Sequence, residues 1–431
     1  MKVLLIGNGA REHIIAEKLA KDAELYAVMS KKNPAIAELC KEFWIYDTCS
    51  PKEVAEKVKG KNIDLGFVSP DPSIAAGVTD ALSDIGILMA SPTKAAGRIE
   101  WDKSFMRGLM LKYNIEGMVR HELVNDKKEA ERVVKEYGKV AVKPIGLTGG
   151  KGVKVSKDHF KGADDAVEYA VQLIKNDGEV LIEEELVGEE FTFQAFSDGK
   201  KIEIMPPVQD HKRAHEGDTG PNTGGMGSYS TGRILPFLEQ SDIDAGERII
   251  KQTIDAMEKE GAPFTGVLYA QFMATKNGPK VIEFNSRFGD PEAMNVLGLY
   301  DGSLSELFMS MAQGDIKLAK FTDKKTVVKY LVPEGYPEKP VGDSPVEVDV
   351  KGIESIGAKV YFASVYEKEG MVYTTKSRSF GLLGLGETLD EAEMIAEKAC
   401  SMVKGKVWHR KDIGTKELVE KRKEHMKELR G

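Results

Sequence analysis

The chain opens MKVLLIGNGAREH, in which the apolar run VLLI closes on Gly-Asn-Gly and leads at once into the helical run REHIIAEKLAKD. An unbroken apolar run of that length, with no polar alternation, suits a strand buried on both faces, and such strands belong to parallel sheets covered by helices. The unit recurs as LYAVMS, DLGFVS and GILMAS, each ending in turn residues, over residues 1–100. Strands alternating with helical segments dictate a parallel α/β layer. VLLI is too short for the core of a secretion signal, and no other apolar run approaches a membrane span.

The pattern changes near residue 101. EWDKSFMRGLMLKYNI reads as a helix and residues 128–137 as another. KVAVKP (139–144) and GVKVS (152–156) read as strands joined by a glycine-rich connection, and EVLIEEEL (179–186) with EEFTFQAF (189–196) as a second antiparallel pair around Gly188. Residues 209–230, QDHKRAHEGDTGPNTGGMGSYS, offer a core only Ala214, Met226 and Tyr229, with five glycines between Gly217 and Gly227. No helix or strand is expected to run through that stretch, and connections so long are either functional or disordered. An amphipathic helix follows at about 241–260, then the strand GVLYAQFMA and a hairpin through Asn277-Gly278 into KVIEF. From about 326 come the strands TVVKYLV, KVYFASV and MVYTT, and a helix opened by the box Thr388-x-x-Glu391.

At 431 residues several domains are expected. They divide as a parallel α/β domain over 1–100, an α+β region over 101–325 and an α+β domain over 326–431. The middle region is expected in two parts, a hairpin-bearing lobe over about 120–190 and a second lobe over about 191–325. The net charge of −8 is small for this length and argues against an electrostatically held nucleic-acid complex. Cys40, Cys49 and Cys400 form neither a disulfide framework nor a zinc site, which fits a reducing compartment. A cytoplasmic protein that binds no membrane is expected, with a monomer as the default.

Three constellations carry chemistry. In the first, Gly7 to His13, a strand runs into a glycine turn as in a Rossmann-like dinucleotide fingerprint. The third glycine of G-x-G-x-x-G would stand at position 12, where the sequence has Glu12, and a carboxylate there crowds and repels a pyrophosphate. The motif therefore points to a smaller phosphate-bearing substrate, or to a bare turn, rather than to a nicotinamide cofactor. In the second, KPIGLTGGKGV (143–153), the spacing is wrong for a Walker loop and strands flank it on both sides. A glycine-rich hairpin of this kind can fold its N–H groups and Lys151 over nucleotide phosphates, with Lys143 reaching them from the preceding strand; an ordinary hairpin is the alternative. In the third, VIEFNSRFGDPE (281–292), Glu283 and Asn285 project from one strand face. With Gln271 on the paired strand they offer the hard oxygen ligands that Mg²⁺ takes beside nucleotide phosphates. Arg287 follows two positions on, able to hold a carboxylate bidentately, before the turn Phe288-Gly289-Asp290-Pro291 ends the strand. A solvated strand face is the bland alternative, but Asn and Arg are poor strand formers.

Taken together, GNGAREH, QDHKR…GDTGPNTGGMGSYS, EFNSRFGDPE and the closing RKDIG (410–414) resemble the phosphoribosylamine–glycine ligase family, also called glycinamide ribonucleotide synthetases. The likeness runs the length of the chain in the same order. It implies a Rossmann-like N-terminal domain, a two-lobed ATP-grasp unit that clamps ATP, and a C-terminal α+β domain. The implied reaction joins 5-phosphoribosylamine to glycine with ATP and Mg²⁺ or Mn²⁺ through glycyl phosphate, in purine biosynthesis.

By the same resemblance Lys103, Lys143 and the loop Gly149, Gly150, Lys151 and Gly152 lie on ATP phosphates. Glu183, Glu185 and Leu186 belong to the adenine-reading hinge, and Glu190 takes the ribose. Gln271, Glu283 and Asn285 hold the metal. Arg287 anchors the glycine carboxylate, while Asp210, His211, Lys212 and Asp218 stand near the substrates. Gly7, Gly9, Arg11 and the segment 69–77 with Asp71 resemble the walls of the phosphoribosylamine pocket, and Gly289 and Asp290 are substrate-binding. The chain departs from the family pattern at Gly-Asn-Gly-Ala, at Thr148-Gly149-Gly150, at Ser286 and at Asp71. Other ATP-grasp carboxylate–amine ligases and biotin-type carboxylases share the hairpin and the metal strand but not residues 209–230. An NAD-dependent oxidoreductase is opposed by Glu12.

Overall fold

The computed structural model describes residues 1–146 and 152–431. The expected nucleotide-loop residues Gly149, Gly150 and Lys151 lie outside the described residues.

The N-terminal sheet is parallel throughout, in the spatial order Glu42–Ile45, Glu24–Met29, Lys2–Ile6, Leu65–Val68, Leu88–Met89. Val3 to Ile6 are wholly buried, as the unbroken apolar run requires of a strand covered on both faces. The chain crosses from one side of the first strand to the other between the third and fourth strands. The carboxyl ends of Lys2–Ile6 and Leu65–Val68 therefore meet at the crevice where open parallel sheets bind ligands. Gly7–Arg11 and Ser69–Asp71 form its rim.

Helix Lys103–Lys112 leads out of this domain, with the side chain of Asp102 accepting from the Phe105 N–H at 2.8 Å as its N-cap. The hairpin lobe is an antiparallel sheet ordered His121–Val124, Val180–Glu184, Val140–Lys143, Lys154–Val155. Helices Lys127–Tyr137 and Ala163–Asp177 supply its own small core of Val133, Val134, Ala166 and Ala170. The pairing expected for 139–144 and 152–156 is present, between Val140–Lys143 and Lys154–Val155. The pair expected around Gly188 is not. Val180–Glu184 stays in the hairpin lobe, whereas Glu189–Asp198 pairs with Thr265–Thr275 and Ile202–Ile204 in another sheet. The chain crosses between lobes at Gly188, where an added Cβ would lie 1.8 Å from the Ala274 carbonyl oxygen. Only glycine allows so close a passage.

The sheet of the metal lobe runs Ile202–Ile204, Glu189–Asp198, Thr265–Thr275, Gly278–Asn285, all antiparallel, with Gln271 directly opposite Glu283. Its two faces differ in kind. Phe191, Phe193, Phe272 and Phe284 are buried on one face, against helix Gln240–Lys259, where a Cβ added at Gly246 would meet Phe193 at 2.8 Å. The other face carries Glu190, Thr192, Gln194, Tyr269 and Gln271 by the two-residue period, and a bulge in the last strand beside Gln271 brings Glu283 and Asn285 onto the same face.

Residues 209–230 correct the expectation that no strand runs through them. Gln209–Asp210, Arg213–His215, Thr219–Asn222 and Gly227–Ser230 are short strands. The first and last join the C-terminal sheet, in the order Gln209–Asp210, Gly227–Ser230, Lys325–Pro333, Phe380–Gly386, Lys359–Phe362. The middle two form a separate hairpin. The glycines permit this because each strand is no longer than four residues, with Gly217 and Gly225 taking positive φ angles between strands and Gly220 within one.

Candidate active site

The polar face of the metal lobe is the floor of the site. Gln271 donates through Nε2 to Glu190, which leaves its Oε1 buried and without a partner among the described residues. Asn285 gives Nδ2 to Glu100 at 3.0 Å, leaving its carbonyl oxygen as the free atom. Glu283 lies opposite Gln271 and two residues before Asn285. Two amide oxygens and one carboxylate are a hard donor set, suited to Mg²⁺ or Mn²⁺ and not to zinc. A buried acceptor with no partner is costly unless something supplies one, so these residues fit a divalent cation.

Strand alternation across Asp210, His211 and Lys212 sends neighbours to opposite sides. Lys212 reaches the floor, with Nζ 3.7 Å from Glu190 Oε2. Burial alone would lower its pKa, but the carboxylates of Glu190, Glu283, Asp210 and Glu292 outweigh that and raise it. Burial and the neighbouring Glu292 push the Asp210 carboxyl well above the usual range, and burial raises Glu292 too. Tyr269 donates its hydroxyl to Glu292 at 2.9 Å.

Over the floor stand the cations expected for a nucleotide. Lys103 donates to the Gly146 carbonyl at 3.2 Å. Lys143 pairs with Glu183 at 2.6 Å, and the second Glu183 oxygen takes Arg107 Nε at 2.6 Å. Glu183 thus turns inward, away from the crossing segment, while Glu185 accepts from the Lys157 N–H at 3.0 Å and Leu186 leads into the crossing at Gly188. The Gly152 carbonyl accepts the Tyr169 hydroxyl at 2.8 Å.

At the far end of the floor, Arg287 lies 3.1 Å from Glu100 and 3.9 Å from Asp71, its buried Nε without a hydrogen-bond partner among the described residues. Glu100 also accepts from the Ser286 N–H and hydroxyl, each at 2.8 Å. Gly289 donates to Gln194 at 2.8 Å, and Asp290 takes Tyr330 and Arg378, the latter at 2.9 Å. Across the crevice, Glu12 accepts from the Gly9 N–H, the Ser69 hydroxyl and Arg11 Nε. The turn is thereby closed to a pyrophosphate, as the sequence implies.

His211 and Asp218 join a different cluster. Asp218 is held by Arg410 at 3.2 Å and by Arg422, and Arg422 reaches Glu189 at 2.9 Å. Asp412 pairs with Arg410 at 2.7 Å and accepts from the Gly217 N–H at 2.9 Å. The closing segment and helix Lys416–Arg430 thus brace residues 209–230 from behind. His211 is buried with neither ring nitrogen partnered among the described residues.

Burial, reinforced by Arg410 and Arg422, pushes the His211 imidazole down to about 3. It stays neutral in the fold while the unfolded chain takes a proton below about 6.5. Its contribution to stability is therefore complete above that pH and lost as pH falls toward 3. Between pH 7 and pH 5 it should cost about 2 kcal/mol. Urea titrations at the two values, on the parent and on His211→Gln, should show the parent losing more by that amount. Equal losses would remove His211 as the titrating group.

Glu100, Glu292, Tyr269 and Arg378 escaped the sequence reading. Glu100 and Glu292 look like ordinary charges at helix ends, and Arg378 sits in the plain segment KSRS. Only Tyr269 had a local signal, its place two residues before Gln271 on the same strand face.

Residues 1–100, 101–293 and 326–416 match the family models described as the N domain, the ATP-grasp (A) domain and the C domain of phosphoribosylglycinamide synthetase. A phosphoribosylamine–glycine ligase of Methanosarcina barkeri (strain Fusaro / DSM 804) is 49% identical, covering 100% of both chains. That of Pyrococcus horikoshii is 46% identical, over 100% of this chain and 98% of its own. The crystal structure of the Thermotoga maritima phosphoribosylamine–glycine ligase is similar with a TM-score of 0.82 at 26% identity, covering 96% of this chain and 100% of that one. The biotin carboxylase domain of Hydrogenobacter thermophilus 2-oxoglutarate carboxylase shares the fold, with a TM-score of 0.75 at 14% identity, over 99% and 97%.

Proposed function

The chain belongs to the phosphoribosylglycinamide synthetase family, and from that premise we propose how its residues divide the work. The enzyme is an ATP-dependent ligase of purine biosynthesis that joins 5-phosphoribosylamine to glycine, giving glycinamide ribonucleotide, ADP and phosphate.

ATP lies between the hairpin lobe and the polar floor. Lys103 and Lys143 neutralise its phosphates, and Glu190 takes the ribose. Gln271, Glu283 and Asn285 hold Mg²⁺ or Mn²⁺, which when bound draws charge from the phosphate oxygens. Arg287 grips the glycine carboxylate so that one of its oxygens faces the γ-phosphate. Attack there breaks the bond from the γ-phosphorus to the bridging oxygen, releasing ADP and giving glycyl phosphate, and the phosphoribosylamine nitrogen then displaces phosphate from the acyl carbon. The Asp210–Glu292 pair takes the proton this amine releases. Positioning and charge neutralisation carry such chemistry, with no covalent side-chain nucleophile. The observation that carries the reading is the orphaned Gln271 Oε1 on a floor that ends at Arg287.

No helix among the described residues is long and apolar enough to cross a membrane. Cys40, Cys49 and Cys400 are free thiols, which supports a reducing cytoplasm, with a monomer as the working state.

A coupled ADP-release assay across amino acids, with and without phosphoribosylamine, tests the reading. Dependence on both glycine and the phosphoribosyl amine is expected, and release with either alone would count against it. In the same assay Arg287→Ala should raise the glycine KM by about 10- to 100-fold, the loss of a charge-assisted hydrogen-bond pair. A glycine KM that stays in place would reassign Arg287.

A further inference from the structure

In the ligase reading Asn285 serves the metal and Arg287 serves glycine, and the strand Gly278–Asn285 ends between them. Past that end the ladder no longer dictates where a side chain points. A carboxylate from another element takes over. Glu100 Oε1 accepts from Asn285 Nδ2 at 3.0 Å and pairs with Arg287 Nη2 at 3.1 Å. Its Oε2 accepts the Ser286 N–H and hydroxyl, each at 2.8 Å. Three consecutive residues thus converge on one buried acid.

With donors on both oxygens, Glu100 has only acceptors to offer, and it decides which end of the Asn285 amide faces it. The amide nitrogen must turn to Glu100, and the carbonyl oxygen is left for a cation. The last torsion of an asparagine is otherwise broad and two-fold, so nothing within Asn285 itself makes that choice. Arg287 is set in the same way. Nη1 donates to the Phe288 carbonyl at 3.2 Å and Nη2 is held by Glu100, which leaves the buried Nε as the open edge of the guanidinium. Asp71 stands 3.9 Å from Nε, too far for a hydrogen bond.

Glu100 is itself firmly seated, in the last turn of helix Lys94–Trp101. The Thr93 hydroxyl caps that helix, accepting from the Ala96 N–H at 3.2 Å. A Cβ added at Gly97 would lie 2.9 Å from Ile74, so the helix rests closely on Asp71–Ala76.

We propose that Glu100 is a positioning residue for both halves of the site, turning the Asn285 oxygen toward the metal and aiming the Nε edge of Arg287 at the glycine carboxylate. It acts through those two side chains, and its assignment rests on the ligase reading above.

Glu100→Asp keeps the charge and withdraws it by one methylene. It should raise the glycine KM and the Mn²⁺ dissociation constant about tenfold or more each, the latter read from the free-Mn²⁺ EPR signal with an unreactive ATP analogue. Glu100→Gln removes a negative charge beside the glycine carboxylate, so on charge alone its glycine KM should fall. A rise there too is expected and reports lost aim, whereas a fall would reduce Glu100 to a counter-charge and overturn the proposal. The affinity for ADP without metal should stay within about twofold in both variants, which a loosened fold would not allow. Added to Arg287→Ala, Glu100→Asp should change the glycine KM by no more than about twofold, because Glu100 acts on glycine through Arg287. A full additive rise, or a Mn²⁺ constant unmoved in both Glu100 variants, would sink the assignment. A parent enzyme that does not need glycine sinks the ligase reading instead, before any variant is made.

Discussion

Glu283→Ala should lower metal-dependent ADP formation by about a thousandfold or more while the protein keeps its fold. Glu283 is the only carboxylate in a donor set otherwise made of the Gln271 and Asn285 amides, with Gln271 directly across the ladder. Amide oxygens carry no net charge, so the carboxylate supplies most of the attraction for a divalent ion. Losing several kcal/mol of charge stabilisation at the phosphoryl group corresponds to about three orders of magnitude in rate. The side chain is only partly buried, so truncation leaves no large cavity. Mn²⁺ with an unreactive ATP analogue should raise the melting temperature of the parent and fail to raise that of the variant. Unchanged turnover, or an unchanged shift with metal, would take Glu283 out of the metal site.

The sequence makes the floor of this site legible because strand alternation is a local rule. Glu283 and Asn285 share a face by spacing alone, but a bulge in the ladder beside Gln271 is what brings them onto its face, and no count back from the hairpin turn gives that. The same rule explains a failure. Val180–Glu184 and Glu189–Asp198 read as one hairpin, since short strands joined by a glycine usually pair. What decides against it is the approach of the Ala274 carbonyl to Gly188, a contact between residues 86 positions apart that no local pattern encodes. Residues 209–230 show the same limit. Their glycines announce turns correctly, but Gly227–Ser230 becomes a strand because Lys325–Pro333 offers it a ladder. Glu100 and Arg378 went unseen for a related reason. A charge is ordinary on a solvated helix or loop, and only the fold brings Glu100 under Arg287 or Arg378 against Asp290.

Glu183→Ala should destabilise the protein by about 3–5 kcal/mol, the usual cost of stripping one partner from a buried ion pair. Arg107 and Lys143 are both buried, and each lies 2.6 Å from one oxygen of Glu183. Burial alone would raise the Glu183 pKa, and the two cations overcome it, bringing the carboxyl down to about 2. Its folded pKa is thus below the unfolded one, so its contribution is complete above about pH 4.5 and disappears as pH falls toward 2. The triad also joins the two lobes. Arg107 donates to the Val281 and Ile282 carbonyls at 3.0 and 3.2 Å, so Glu183 is linked to the strand that carries Glu283. Truncation leaves two unpaired cations in the hinge between hairpin lobe and floor, and the melting temperature should fall by about 3–6 °C. The ATP KM should rise with it, since Lys143 loses the contact that holds it in place. Glu183→Gln, which keeps the shape and one acceptor, should recover part of the stability. A melting temperature within about 2 °C of the parent for the alanine variant would mean that water or a neighbouring group already compensates the two cations.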